Sequence, residues 1–106
     1  MNIVWTRNAL DDLQDIRSYL KRSESPAYAK SVAKEIVDEV SSLKDWNNKG
    51  SSIPELEDLH LATHRQLLAG QYRIIIERGQ DTVYIHMIAH TRRDLEALIR
   101  RRLLNA

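Results

Sequence analysis

The sequence predicts an α+β fold of order β-α-α-β-β-β-α, in which an antiparallel sheet is packed by an α-helical hairpin and followed by a short C-terminal helix. Two observations carry this. Apolar residues recur every three or four positions through the first half, and from residue 62 onward the pattern changes to short β-rich runs separated by Gly-containing turns. A length of 106 residues fits one domain spanning 1–106, large enough for a modest core.

Ile3-Val4-Trp5 is a short β-rich run, and Thr6 or Asn8 can cap the helix that follows. In that helix Ala9, Leu10, Leu13, Ile16 and Leu20 form the apolar stripe, while Asp11, Asp12, Gln14, Asp15 and Arg17 fill the other face. Ser25-Pro26 starts a second helix, since Ser can cap and Pro has no amide hydrogen to leave unpaired. Its stripe is Ala29, Val32, Ala33, Ile36, Val40 and Leu43, up to about Trp46, a length of roughly 30 Å at 1.5 Å per residue. Only Lys21 to Glu24 separate the two helices, so they form an antiparallel hairpin.

Asn47 to Ser52 ends the second helix, and a connection containing Pro54 leads into an acidic, irregular stretch from Glu55 to His60. Strands follow at Ala62 to Ala69, Tyr72 to Arg78 and Thr82 to Ala89, with turns at Gly70-Gln71 and Gly79-Gln80-Asp81, giving an antiparallel meander. Strict alternation puts Val83, Ile85, Met87 and Ala89 in the core and leaves Tyr84, His86, Ile88 and His90 half exposed. Thr91 with Asp94 three residues later is a capping-box-like start, and Leu95, Leu98, Ile99 and Leu103 give the last amphipathic helix. Its Arg100-Arg101-Arg102 end either complements the helix dipole or forms a nucleic-acid patch.

Composition narrows the functional classes. The chain has no cysteine, which excludes disulfides and thiol chemistry, and His86 with His90 lacks carboxylates in ligand spacing, so no metal or other cofactor is expected. No apolar signal segment or membrane-spanning stretch is present, and a cytoplasmic protein is expected. The net charge is only +1, yet it is unevenly built: His86 to Ala106 carries Arg92, Arg93, Arg100, Arg101 and Arg102 against Asp94 and Glu96. Every cation after Lys49 is arginine, whose rigid fork suits phosphate or carboxylate.

The candidate site follows from this skew. Gly70-Gln71-Tyr72-Arg73-Ile74-Ile75-Ile76 and the run from Val83 to His90 lead into Thr91-Arg92-Arg93-Asp94, so one sheet could present Arg73, His90 and the Arg pair on a single patch for an anionic or acidic partner. Arg73 has a structural alternative, pairing with Glu55, Glu57 or Asp58. Tyr28 and Trp46 fall on one flank of the second helix, where they either seal the helix pair or line a partner groove, and Tyr19 carries the same two readings.

Val4-Trp5-Thr6 with Ala9, Asp12 and Leu13, then Pro26, Pro54-Glu55-Leu56, Arg65 with Leu67, Gly70 to Ile75, and His90 with Arg92-Arg93 occur in an order and spacing that resembles the RelE/ParE superfamily of toxins from type II toxin–antitoxin modules. The resemblance covers almost the whole chain and lies nearest the ParE branch, often called plasmid stabilisation proteins. It implies a toxin neutralised by a cognate antitoxin, usually encoded beside it, whose C-terminal segment wraps the folded toxin. It further implies DNA gyrase as the target of a ParE-like inhibitor without a known catalytic site. Arg65, Arg73, His90, Arg92, Arg93, Tyr19 and Tyr28 are then the residues expected to meet target or antitoxin.

The alternative is a RelE-like, ribosome-dependent mRNA interferase. There Arg73 would stabilise charge on phosphate and His90 would act as acid or base, because arginine cannot lose its proton and histidine titrates near neutrality. Cleaving relatives typically add lysines in the first meander strand or a terminal tyrosine, whereas here His64 and Arg65 occupy that strand and Thr91-Arg92 follow His90. A third reading is a non-toxic relative that only binds nucleic acid or protein. Self-association remains open under all three.

Overall fold

The computed structural model describes residues 1–59 and 63–104, and within them the expected order β-α-α-β-β-β-α. Strand β1 (Asn2–Trp5) turns into helix α1 (Arg7–Ser23) at Thr6. The Thr6 hydroxyl accepts from the Ala9 amide at 3.3 Å and donates to the Ile85 carbonyl at 2.7 Å, so one side chain caps the helix and ties it to the sheet. Helix α2 (Pro26–Ser41) starts where Ser25 accepts from the Tyr28 amide, with Pro26 in the first turn as expected. It ends earlier than Trp46 because the Ser42 hydroxyl donates to the Glu39 carbonyl at 2.6 Å, and the chain tightens into a 3₁₀ turn at Ser42–Lys44.

A second 3₁₀ segment, Pro54–Leu59, stands where an irregular connection was expected. The meander then comprises β2 (His64–Ala69), β3 (Tyr72–Arg78) and β4 (Thr82–His90), paired antiparallel. Ala62 and His60 lie outside the described residues, and β2 is described from His64. β1 adds to β4 in parallel, so the order is β1-β4-β3-β2 and the whole sheet is mixed, antiparallel only in its meander. The connection does not leave β2 bare: Ser51 exchanges both backbone bonds with Gln66 along that edge.

The last helix, α3 (Leu95–Ile99), is capped by Asp94, whose carboxylate accepts from the Ala97 amide at 3.1 Å. The start expected at Thr91 therefore moves three residues on, and Arg92 and Arg93 lie in the preceding turn, not in a first helical turn. A wider π-helical turn, Arg100–Leu104, follows; the side chain of Leu103, expected on the apolar face, lies outside the described residues.

One irregularity reorganises the sheet. Ile76 pairs with Ile85 but Ile75 pairs with Met87, leaving His86 as an extra residue in β4. Below the bulge Val83 and Ile85 face the hairpin with Ile74, Ile76, Ile36 and Val40; above it Ile88 faces the hairpin, while Met87 and Ala89 turn to the opposite side. The expected alternation thus fails at Ile88, which is buried. The opposite side carries a second core, in which Ile75, Met87 and Ala89 meet Ile53, Leu56, Leu95, Leu98 and Ile99. β3 therefore reads Ile74-Ile75-Ile76 with all three fully buried, as a strand covered on both faces should.

Helix α1 packs less fully than its stripe suggests. Ala9 is buried and Leu13 and Ile16 are partly buried, but Leu10 is 48% exposed. Asp12, expected on the solvent face, is instead buried. No described helix is long and apolar enough to cross a membrane.

Candidate functional site

An open groove of about 820 Å³ runs along the hairpin where it meets the far end of the sheet. Helix α1 supplies Asp15, Ile16 and Tyr19, helix α2 supplies Tyr28, Val32 and Glu35, and the β2–β3 turn supplies Gly70 and Gln71. Tyr72, His90, Arg92 and Arg93 close the other side, with Asp12 and Arg102 also lining it. Tyr19, Tyr28, His90, Arg92 and Arg93, five of the residues expected from sequence, thus come together. Arg65 and Arg73 do not.

The geometry follows from short-range constraints. Tyr19 lies one helical turn from Asp15 and Ile16, and Tyr28 one turn from Val32, so both rings project along the groove, about half exposed. Tyr72, partly buried against the core, lines the same groove, and its hydroxyl pKa is pushed up by burial and by the neighbouring Tyr28 and Tyr19. Gly70 turns the chain at φ +58°, and a side chain there would meet the Glu35 carboxylate at 3.1 Å. Large aromatic surfaces with polar tips, half out of water, suit a partner that is itself amphipathic.

His90 stands at the end of β4 opposite Tyr72, and the two rings meet edge to face at 5.3 Å. Its Nδ1 accepts from the Arg92 amide at 3.1 Å, which leaves the ring proton on Nε2, 3.0 Å from the Gln71 side-chain oxygen. Both ring nitrogens are therefore engaged in holding the turn that presents Arg92 and Arg93. These two arginines are exposed and form no ion pair among the described residues. With Asp15, Glu24 and Glu35 on the helical wall, the groove has one basic and one acidic rim.

Arg73 belongs elsewhere. Its guanidinium donates twice to Glu55 at 2.8 Å, and its Nε donates to the Gln66 side chain at 2.8 Å. The Arg73 hydrogen bond holds the Glu55 carboxyl below its usual pKa against the opposing effect of burial. Without the bulge at His86, the register below it would continue to place His90 opposite Gln71, on the same face as Arg73. The extra residue shifts His90 opposite Tyr72 and Arg73 opposite Ala89, so the two lie on opposite faces of the sheet. The single patch expected from sequence is divided by one inserted residue.

Arg65 lies on β2 opposite Ile76, and its charge, second to burial, lowers the pKa of the neighbouring Arg78. Arg78 in turn donates to the Asn47 and Lys49 carbonyls, fastening the end of the connection. Trp46 is 66% exposed and does not seal the helix pair; the Lys49 ammonium lies 5.6 Å from its ring centre.

Sequence reasoning did not find Gln71 or Glu35. The signal for Gln71 was its place in the Gly-Gln turn beside the strand end that carries His90, but using it requires the bulged register.

A family model described as the ParE toxin of the type II toxin-antitoxin system, parDE, matches residues 3–95. Among solved structures, the chromosomal ParDE TA system from P. aeruginosa is similar with a TM-score of 0.70, over 85% of this chain and 95% of that chain, at 23% identity. At that identity the likeness concerns the fold. A search of curated proteins finds no significant match.

Proposed function

Because the chain belongs to the ParE toxin family of type II toxin–antitoxin systems, we propose that it arrests growth by binding and inhibiting DNA gyrase and is held inactive by a cognate antitoxin. The groove between Tyr19, Tyr28, Tyr72 and the Arg92-Arg93 turn is the contact surface in this reading. Its half-exposed Tyr19 and Tyr28 offer apolar area with polar tips, and its exposed Arg92 and Arg93 offer forks for acidic side chains.

The observation that carries the choice of inhibitor over nuclease is the division of Arg73 from His90. Cleavage through a 2′-hydroxyl needs a charge stabiliser and an acid or base converging on one phosphate. Here the arginine is spent on Glu55 and Gln66 behind the sheet, and the histidine is spent on Gln71 and the Arg92 amide in front of it.

Three measurements test this. Induction without an antitoxin should arrest growth, purified protein should inhibit gyrase supercoiling or trap cleaved DNA, and cellular transcripts should remain intact during arrest. Unaffected gyrase together with codon-positioned mRNA cuts that vanish in a folded His90→Ala protein would replace the reading with an mRNA interferase. Growth unaffected by induction would leave a non-toxic binding relative.

A further inference from the structure

We propose that His64, Glu77 and His86 form a site for one divalent transition-metal cation of the Zn²⁺ type, on the sheet face away from the hairpin. The residues come from three adjacent strands, β2, β3 and β4, and one ligand atom from each lies within 4.8 Å of the others.

The bulge builds this arrangement. His64 is the direct cross-strand partner of Glu77, and the unpaired His86 aims its Nε2 at the same carboxylate oxygen from the other side. The separations are 2.7 Å for His86 and 3.9 Å for His64, and the two imidazole rings lie nearly parallel with centres 5.7 Å apart. A hydrogen bond between Glu77 and His86 accounts for one histidine only. Among the described residues His64 Nε2 has no hydrogen bond, although its side chain is only 11% exposed; its Nδ1 is 3.4 Å from the Thr63 hydroxyl, leaving Nε2 directed at Glu77. Two imidazoles converging on one carboxylate oxygen are explained together by a cation among them.

The donor set selects the cation. Two imidazoles and a carboxylate suit Zn²⁺ and its neighbours rather than Mg²⁺ or Ca²⁺, which prefer oxygen. Bonds of about 2.0–2.2 Å place ligand atoms roughly 3.3–3.5 Å apart, so closure needs side-chain adjustments of about 1 Å and no strand movement. Glu77 and His86 are 38% and 21% exposed, which leaves the remaining coordination positions to water. His90, the histidine paired with His86 by sequence spacing, is on the hairpin side and takes no part.

The test uses the full chain without an affinity tag, stripped by a chelator and titrated with Zn²⁺ in a calorimeter, with melting temperature followed in parallel. One saturable equivalent and a raised melting temperature that the chelator reverses are expected. His64→Gln and His86→Gln should each weaken affinity at least about tenfold, since even outer-sphere partners of metal ligands contribute about 10–100-fold. His90→Gln should bind as the parent does. Should His64→Gln fail to fold, His86→Gln and Glu77→Gln decide, because both alter partly exposed side chains. Absence of saturable binding to folded parent protein, or parent-like affinity in folded His86→Gln and Glu77→Gln, overturns the site. The outcome is independent of toxicity.

Discussion

Asp12 of α1 and Arg102 beyond α3 meet fork to fork, with both nitrogen–oxygen separations at 2.7 Å. The same Asp12 accepts from the Ile88 amide at 2.9 Å, above the point where β1 stops covering the β4 edge. One buried carboxylate therefore satisfies a strand edge and anchors the C-terminal turn, and its hydrogen bond raises the Arg102 pKa.

Arg102→Ala should destabilise the fold by about 3 kcal/mol, because it leaves Asp12 buried and unpaired. Arg101→Ala, at an exposed neighbour, should stay within about 0.5 kcal/mol. Urea midpoints for the two variants check this; equal midpoints would show that the fork contributes nothing.

Core truncations should rank by burial. Ile36→Ala and Ile85→Ala, both at fully buried positions, should each cost about 2–5 kcal/mol. Leu13→Ala should cost less because Leu13 is only partly buried, and Leu10→Ala should be near neutral. Thermal and urea unfolding of the four variants give the order.

Glu55 makes acid stability predictable in sign. Its folded pKa is depressed below 4.5 by Arg73, so its contribution is fully present above the unfolded value and disappears as pH falls through the depressed folded value. Glu55→Gln should therefore be less stable than the parent at pH 7, by about 1–3 kcal/mol. The difference should narrow once pH drops below about 4.5 and onward through the folded value. A gap that widens on acidification would contradict the pairing.

Groove and sheet arginines should separate in their effects. Tyr28→Ala and the double change Arg92→Ala/Arg93→Ala should keep near-parent stability, while weakening antitoxin binding and toxicity at least about tenfold, as removal of interface tyrosines and arginines does. Arg73→Ala should instead lose stability, since it frees Glu55 and Gln66 together. Binding assays beside unfolding curves distinguish the two classes. A stable Arg73→Ala protein with lost toxicity would return Arg73 to the functional surface.

Sequence alone determined the element order, the Ser25-Pro26 start and the two turns of the meander, because each depends on residues a few positions apart. Tertiary structure decided the rest. β1 pairs in parallel with a strand about 80 residues away, Asp12 meets Arg102, and His64, Glu77 and His86 converge. The bulge at His86 has the widest consequence, sending Arg73 and His90 to opposite faces. Alternation along a strand is local, but the register between strands is a cooperative outcome of packing on both faces, and one unpaired residue reverses the side on which everything beyond it emerges.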